Sequence, residues 1–518
     1  MTQEIMKKEK QMEKQKKIKL NKIRIFILIL FIFSLVNAQQ KIPNGLEERI
    51  EQIRKDWDIP GMAVAIIKGD KVIYAKGFGV RELGKPGKVD KKTLFAVGST
   101  TKAMTVATLG MLVDEEKISW DDRVIDVLPG FRMYDSYATN ELTVRDLLSH
   151  KSGLTRGDQV WFASPLNQLE VMEKIRYLKP EYSFRSKYHY QNLMYLTAGI
   201  LAAKIHGEND WDRVMYKRFF KPLNMRSSVT NLKDLAKRNN VATPHNTVDG
   251  KFQPIEHRNL ANISPAGSVY SNVLEMSNWI RLNMNNGIFE GKRILSEAVV
   301  SEMQTPQMHA AYTGPDEVMN FSLYGLGWRL SDYRGYKMVS HGGGIDGFIT
   351  WTGFISDIDL GWVVFNNAGM RVSYAVGREI IDAFLGKEDD IDWSGKDKKS
   401  YDRAVAMGDS IRKDIDSRRV LETQPRLENL EYKGEYDNNF YGKMTVSTSG
   451  NDLIISRGDA LKGSLSHWHY DTFRVRWNSP RERGAFGNEF ISFHFNLKNE
   501  VISLDRLMDG KRKVFIKK

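Results

Sequence analysis

The sequence predicts a mixed α/β fold in which distant segments complete one sheet around a helical insertion, followed by a small all-β unit. Three observations carry this expectation. Strand-like runs occur near residue 62 and again between 325 and 368, with mostly helical patterning from about 95 to 300. Strands at both ends of a helical stretch argue for one shared sheet and against tandem βα repeats. From about residue 426 the chain reads as short strands and turns, of barrel or sandwich type.

The first 38 residues stand apart. Residues 1–24 carry nine Lys or Arg against three Glu, the apolar run IFILILFIFSLV (Ile25–Val36) follows, and VNA places a cleavage site after Ala38. That order is a secretory signal peptide, and it implies export to a periplasmic or secreted location. Its long basic region keeps an uncleaved anchor as the alternative, although twelve apolar residues are short for a bilayer span. Membrane contact is expected only through this segment. Of the formal net charge of +13, +7 remains on the rest of the chain, without a basic run interleaved with aromatics. Nucleic acid is therefore not an expected partner.

A first domain is expected over 39–386. GLEERIEQIRKDW (Gly45–Trp57) has apolar residues at helical spacing and stops before Pro60-Gly61. MAVAIIKGDKVIYAKGFGV (Met62–Val80) gives two strands around a Gly69-Asp70 turn. Helices follow at Thr101–Lys117, Thr143–Gly153, Leu193–Gly207 and Glu275–Gly287, each closing near a glycine or a polar cluster. Strands return at Gly325–Ser331, Tyr336–Gly344, Phe348–Ser356 and Leu360–Ala368, and a helix at Val372–Gly386 closes the domain. Residues 387–425 are rich in charge and poor in large apolar side chains, a partly helical linker, and 426–518 form the β unit.

The chemistry centres on FAVGSTTKAMT (Phe95–Thr105). The chain has no cysteine, which excludes disulfides, thiolate nucleophiles, zinc ribbons and iron-sulfur clusters, so a nucleophile must be an oxygen or an amine. Ser99 at the start of a helix and Lys102 one turn later share a face. A serine hydroxyl needs a base to take its proton as it attacks a carbonyl. Partial burial lowers a lysine pKa, which suits Lys102 as that base or as the cation that keeps a neighbouring tyrosine ionised. The N–H groups of the helix start face a developing oxyanion. An S-x-x-K pair also arises by chance, and Ser410-Ile-Arg-Lys413 in the charged linker is read as such, on a solvated helix face.

Two further segments supply partners: Tyr190-Gln-Asn192 before a long apolar helix, and His341-Gly-Gly-Gly344 at the end of a strand. With Ser99 and Lys102 they resemble the S-x-x-K, Y-x-N and K/H-x-G set of the serine β-lactamase and penicillin-binding-protein superfamily. The class C-like members, which include D,D-peptidases, D-aminopeptidases and esterases, are the most similar. LTVRDLLSHKSGL (Leu142–Leu154), SPAGSVYSNVLEMSNW (Ser264–Trp279) and YGLGW (Tyr324–Trp328) fit the same family, so the resemblance covers about residues 41–386. The tail is similar to the lipocalin-like domain appended to such hydrolases, with HWHYDTF (His467–Phe473) as the best local match.

The resemblance implies an antiparallel sheet flanked by helices with a helical insertion, and a C-terminal β-barrel. It implies hydrolysis of an amide or ester through an acyl-serine, on a small-molecule or peptide substrate, with no cofactor and no metal. Ser99 would attack, and Lys102 and Tyr190 would share the proton traffic. Asn192 would hydrogen-bond a substrate amide or the lysine. The N–H groups of Ser99 and Gly344, on the strand edge that includes Gly343, would form the oxyanion hole. His341 would help bind a substrate carboxylate or support Tyr190.

The third motif opens on histidine where most β-lactamases have lysine, so a permanent cation for a β-lactam carboxylate is lost unless His341 is protonated. Tyr270-Ser-Asn272 is a second Y-x-N, set inside a structural stretch of the family, and Tyr190 is preferred. No counterpart of the class A deacylating glutamate is evident, which leaves Tyr190 or the substrate to activate water. HGGG also occurs in lipases of the α/β-hydrolase fold, but these need a G-x-S-x-G elbow and the chain has none. His467 and His469 read as a packed or surface pair rather than metal ligands, and His150 and His189 as structural histidines. The non-enzyme alternative is a penicillin-recognising sensor without turnover; the complete Ser, Lys, Tyr and Asn set argues against it.

Overall fold

A computed structural model describes residues 12, 19, 42–310, 317–388, 390–487, 489–508 and 510–518. Apart from Met12 and Lys19, the expected signal segment at 1–38 lies outside them. Among the described residues, no helix is long and apolar enough to cross a membrane.

Helix α1 (Leu46–Asp56) leads into β1 (Gly61–Lys68) and β2 (Lys71–Gly79), the hairpin expected at Gly69-Asp70. The other strands of this sheet are β3 (Met308–His309), β4 (Ser322–Tyr324), β5 (Arg329–Tyr333), β6 (Tyr336–Ile345), β7 (Phe348–Ile355) and β8 (Leu360–Asn366). They form one antiparallel sheet in the order β2-β1-β8-β7-β6-β5-β4-β3. The first strand thus pairs with the last, from Met62↔Asn366 to Lys68↔Leu360. β1 and β8 are buried almost end to end, as expected of strands covered on both faces.

Of the run Gly325–Ser331, expected as one strand, Gly325–Trp328 is instead the turn between β4 and β5, with Gly325 N–H donating to Trp328 O at 2.8 Å, and Arg329–Ser331 opens β5. Gly327 has φ +78°, and a Cβ there would sit 2.7 Å from Ala103 Cα. A side chain would break both the turn and its contact with the helix carrying Lys102.

Between the hairpin and β3 lie α2 (Thr101–Asp114), α3 (Asn192–His206) and α4 (Val273–Met284). Every residue from Thr101 to Leu112 is buried, and α3 is nearly as enclosed, so neither helix has a solvent face. α4 and α5 (Val372–Leu385) cover opposite faces of the sheet. Gly361 on β8 approaches Ile280 of α4, whereas its neighbour Trp362 approaches Gly377 of α5, as strand alternation requires.

The charged linker contains α6 (Trp393–Ser417), whose first residue Trp393 is buried and donates its indole N–H to Asp382 of α5 at 2.8 Å. Beyond its end Arg419 donates to Trp468 O at 2.8 Å. Ser410 and Lys413 are exposed on this helix.

The C-terminal unit is a closed eight-stranded barrel, which decides between the barrel and sandwich expectations: β9 (Gly434–Asn438), β10 (Gly442–Ser449), β11 (Asp452–Arg457), β12 (Leu461–His469), β13 (Thr472–Trp477), β14 (Glu489–Phe495), β15 (Val501–Met508) and β16 (Lys511–Lys517). Aromatic and aliphatic side chains fill it, with Glu489 held inside by Arg506 and the Trp477 indole. A short helix, α7 (Pro480–Phe486), interrupts the barrel between β13 and β14.

Candidate active site

Phe95–Ala96 pairs with Tyr270–Ser271, and this two-residue ladder delivers the chain to Gly98. Gly98 has φ +54°, and a Cβ there would meet Gly344 N at 2.7 Å. Ser99 follows in a tight 3-10 turn, Gly98–Thr100, and α2 starts at Thr101. The serine therefore lies one turn ahead of the α-helix proper, still directed at Lys102.

Lys102 has no solvent exposure. Its Nζ lies 3.1 Å from Ser99 Oγ, 2.8 Å from Asn192 Oδ1 and 2.8 Å from Ala266 O. The last two oxygens only accept, so two N–H groups go to them and the remaining tetrahedral direction faces the serine. Burial, reinforced by the Arg156 guanidinium, holds the amine well below its usual pKa, with Asp158 opposing.

Asn192, the first residue of α3, is oriented by a second bond: its Nδ2 donates to Asp158 Oδ1 at 2.8 Å, which turns Oδ1 toward the lysine. Asp158 also accepts from the Trp161 indole at 2.9 Å and from Arg156 Nε at 2.6 Å.

Tyr190 shares a hydrogen bond with Ser99, and burial pushes its phenol above the usual tyrosine range, with the serine bond pulling the other way. Its ring lies 4.8 Å beneath Lys102 Nζ and packs on His150 at 4.2 Å. His150 is buried and accepts from Gln191 N–H at 3.1 Å, and its imidazole is driven to the neutral form by burial and by Lys102. It forms the floor under Tyr190. His189 bonds Leu154 O at 2.7 Å and ties the loop before Tyr190 in place.

β6 lies along the other side. A Cβ on Gly343 would overlap the Val97 carbonyl oxygen, which Thr350 also holds at 2.9 Å, so only glycine lets this strand approach the Ser99 turn. Replacing Gly343 by alanine is expected to push β6 away and lower kcat/KM by about 10²-fold or more. Ester turnover and circular dichroism on the same sample check this; full activity in a folded variant counts against the close-approach argument. Gly344 faces the cleft beside Ser99.

His341 sits one step back. It is 6% exposed, and its ring nitrogens bond Tyr324 OH at 3.0 Å and Gly342 O at 2.7 Å. Burial, then Lys102, pushes its pKa down to about 3. The structure thus keeps it neutral at physiological pH, 6.5 Å ring to ring from Tyr190, in a position that fits support of the tyrosine and not a cation for a carboxylate.

Of the sequence-identified residues, Ser99, Asn192 and Gly344 line one cleft of about 530 Å³, and Lys102, Tyr190 and Gly343 stand behind its surface against Ser99, Asn192 and Val97. The alternative Y-x-N stands elsewhere: the Tyr270 hydroxyl faces His257, and Asn272 caps α4. His467 and His469 each bond backbone groups, and among the described residues no group of three or more His, Asp or Glu could hold a metal ion. Arg156, Asp158, Trp161 and Tyr324 were not legible as site residues. Nothing in LTRGDQVW marks Asp158 as the partner of Asn192, although the segment follows directly on LSHKSGL.

Residues 46–384 match the family model described as Beta-lactamase, and residues 418–514 one described as a domain of unknown function, DUF3471. The chain is 29% identical over 356 residues to an unguisins hydrolase of Aspergillus campestris, covering 66% of this chain and 65% of that protein, just under two thirds of its length. It is 26% identical over 357 residues to penicillin-binding protein 4 of Amycolatopsis lactamdurans, covering 66% of this chain and 90% of that one. Among solved structures, the octameric penicillin-binding protein homologue from Pyrococcus abyssi superposes with a TM-score of 0.59 at 21% identity, over 90% of this chain and 99% of that one. That last likeness is one of fold.

Proposed function

The chain belongs to the beta-lactamase family, and from that premise we propose that it is a serine hydrolase that cleaves an amide or ester bond through an acyl-serine at Ser99. The observation that carries this is the coordination of Lys102: two carbonyl-type oxygens occupy two of its donor directions, and the third faces Ser99 Oγ. A buried amine held neutral presents a lone pair there, so Lys102 takes the serine proton as Oγ bonds to the carbonyl carbon. The Ser99 and Gly344 N–H groups receive the oxyanion. Tyr190, kept as a phenol by burial, then gives its proton to the leaving nitrogen or oxygen, and the proton that Lys102 took from Ser99 restores the phenol once the leaving group has departed. Water attacking the acyl-serine follows the reverse proton path. Family relatives named as hydrolases support hydrolysis as the reaction.

A neutral His341 and a cleft without an unpaired lysine or arginine among its described lining residues favour uncharged esters and amides over β-lactams, whose carboxylate needs a cation. The basic and apolar residues 1–38 support a proposal of export.

A fluorescent fluorophosphonate is expected to label wild-type protein and not Ser99→Ala, and p-nitrophenyl esters to be turned over only by the former. Labelling that persists in the variant overturns the nucleophile. Stable labelling without turnover replaces the hydrolase with a sensor.

A further inference from the structure

The cleft at Ser99 is not built by the catalytic unit alone. Ala485 and Phe486, at the end of α7, line it together with Trp161, Phe162, Phe348 and Ile349. α7 leaves the barrel between β13 and β14, and its last side chain is fixed from behind. The Phe486 ring lies 5.9 Å from the Trp477 ring and 5.1 Å from the Arg506 guanidinium, and meets Phe162 edge-on at 5.3 Å.

Two buried arginines fasten this arrangement. Arg258, 4% exposed, bonds Asp346 at the β6–β7 turn and forks onto Glu482 of α7 at 3.0 and 3.2 Å, with its plane 3.5 Å over Phe162. Arg457 of β11 donates to Gln159 O at 2.5 Å and Val160 O at 3.0 Å, in the loop that carries Asp158. The charged groups lining the cleft are matched: Arg156 with Asp158, and Asp346 with Arg258. The cleft beside Ser99 therefore offers a substrate no unmatched charge, and its wall on the α7 side is apolar, formed by Ala485, Phe486 and Phe162.

We propose that α7 of the barrel is a specificity wall of the Ser99 cleft, in which Phe486 selects substrates that carry an uncharged, apolar group next to the scissile carbonyl. This rests on the acyl-serine reading above. A barrel that only stabilised the fold would not place a fixed aromatic ring on the cleft surface. A rigid ring on a cleft wall without an unmatched cation favours apolar over charged groups, because a carboxylate there loses hydration without gaining a partner.

The test uses the full chain and three p-nitrophenyl esters: acetate, hexanoate, and the mono-ester of adipic acid, which has the hexanoate chain length with a terminal carboxylate. Wild type is expected to prefer hexanoate over the adipate ester by about tenfold or more in kcat/KM. Phe486→Ala is expected to lower the hexanoate-to-acetate ratio by about tenfold, from lost apolar contact. Ala485→Arg, at an exposed position on the same wall, is expected to move the adipate-to-hexanoate ratio about tenfold toward adipate, and it keeps the proposal testable if the first variant fails to fold. Ratios unchanged within twofold in folded variants, or a wild type indifferent to the carboxylate, overturn the wall while leaving the nucleophile intact. Ester turnover that survives Ser99→Ala, or a wild type that neither turns over the esters nor takes the fluorophosphonate, overturns the acyl-serine reading and the wall with it.

Discussion

Replacing Lys102 by methionine is expected to lower kcat/KM by about 10³-fold or more while shifting the thermal midpoint by only a few degrees. Activity falls because Ser99 loses the group that takes its proton. Stability changes little because two effects oppose. The variant leaves Asn192 Oδ1 and Ala266 O without their donor, at about 1–3 kcal/mol each. It also removes a lysine whose pKa is lower folded than unfolded; the unfolded chain binds that proton more tightly, so the wild-type lysine destabilises the fold at every pH below the unfolded value. The same direction sets the pH profile. In wild type, kcat/KM should rise as pH passes the depressed lysine value, far below 10.5, and then hold to about pH 10, because Tyr190 is raised and keeps its proton. His341, titrating near 3, adds no step between pH 5 and 9. A profile that climbs only above pH 10, or an active Lys102→Met, would remove the lysine from the role of base.

Arg258→Ala is expected to destabilise the protein by about 3–5 kcal/mol, the range for breaking a buried ion pair from one side. Asp346 and Glu482 would face each other inside the protein without their shared cation. Burial already pushes Asp346 above its usual range, with Arg258 pulling it down and Glu482 adding to the rise. Without the arginine the folded pKa climbs further above the unfolded one. The folded state then binds more protons, and its stability falls as pH rises through that interval. The loss should therefore be smaller at pH 5 than at pH 8. Denaturant unfolding at both pH values measures it, and a pH-independent change below about 1 kcal/mol would show that the cluster is solvated. Because Arg258 also stacks on Phe162, the variant should broaden ester selectivity together with the stability loss.

Much of the catalytic set was legible because its members sit at short, fixed spacings on predictable elements. Ser99 and Lys102 are one turn apart, Tyr190 and Asn192 flank a helix start, and His341 to Gly344 end a strand, so local backbone geometry nearly fixes their mutual placement within each motif. The glycines were legible as a motif but not as a cause: that Gly343 makes room for the Val97 carbonyl, and Gly327 for α2, is visible only when two remote segments touch. The expected strand at Gly325–Ser331 starts four residues late, at Arg329, because apolar residues between glycines have the composition of a buried strand whether or not the chain turns there. Asp158 and Arg258 carry no local signal at all. Each is one charged residue in a loop, and its importance comes from partners 34 and 224 positions away.

By itself, the amino-acid sequence determined the family, that strands from both ends of the domain share one sheet, and which serine has a lysine and a tyrosine to work with. Spacing and composition encode these directly. Tertiary structure alone decided that burial depresses the pKa of Lys102, that His341 is neutral and bonded to Tyr324, and that a helix of the barrel lines the cleft. Charge state and cleft shape depend on burial and on contacts between segments hundreds of residues apart, and no local pattern records those.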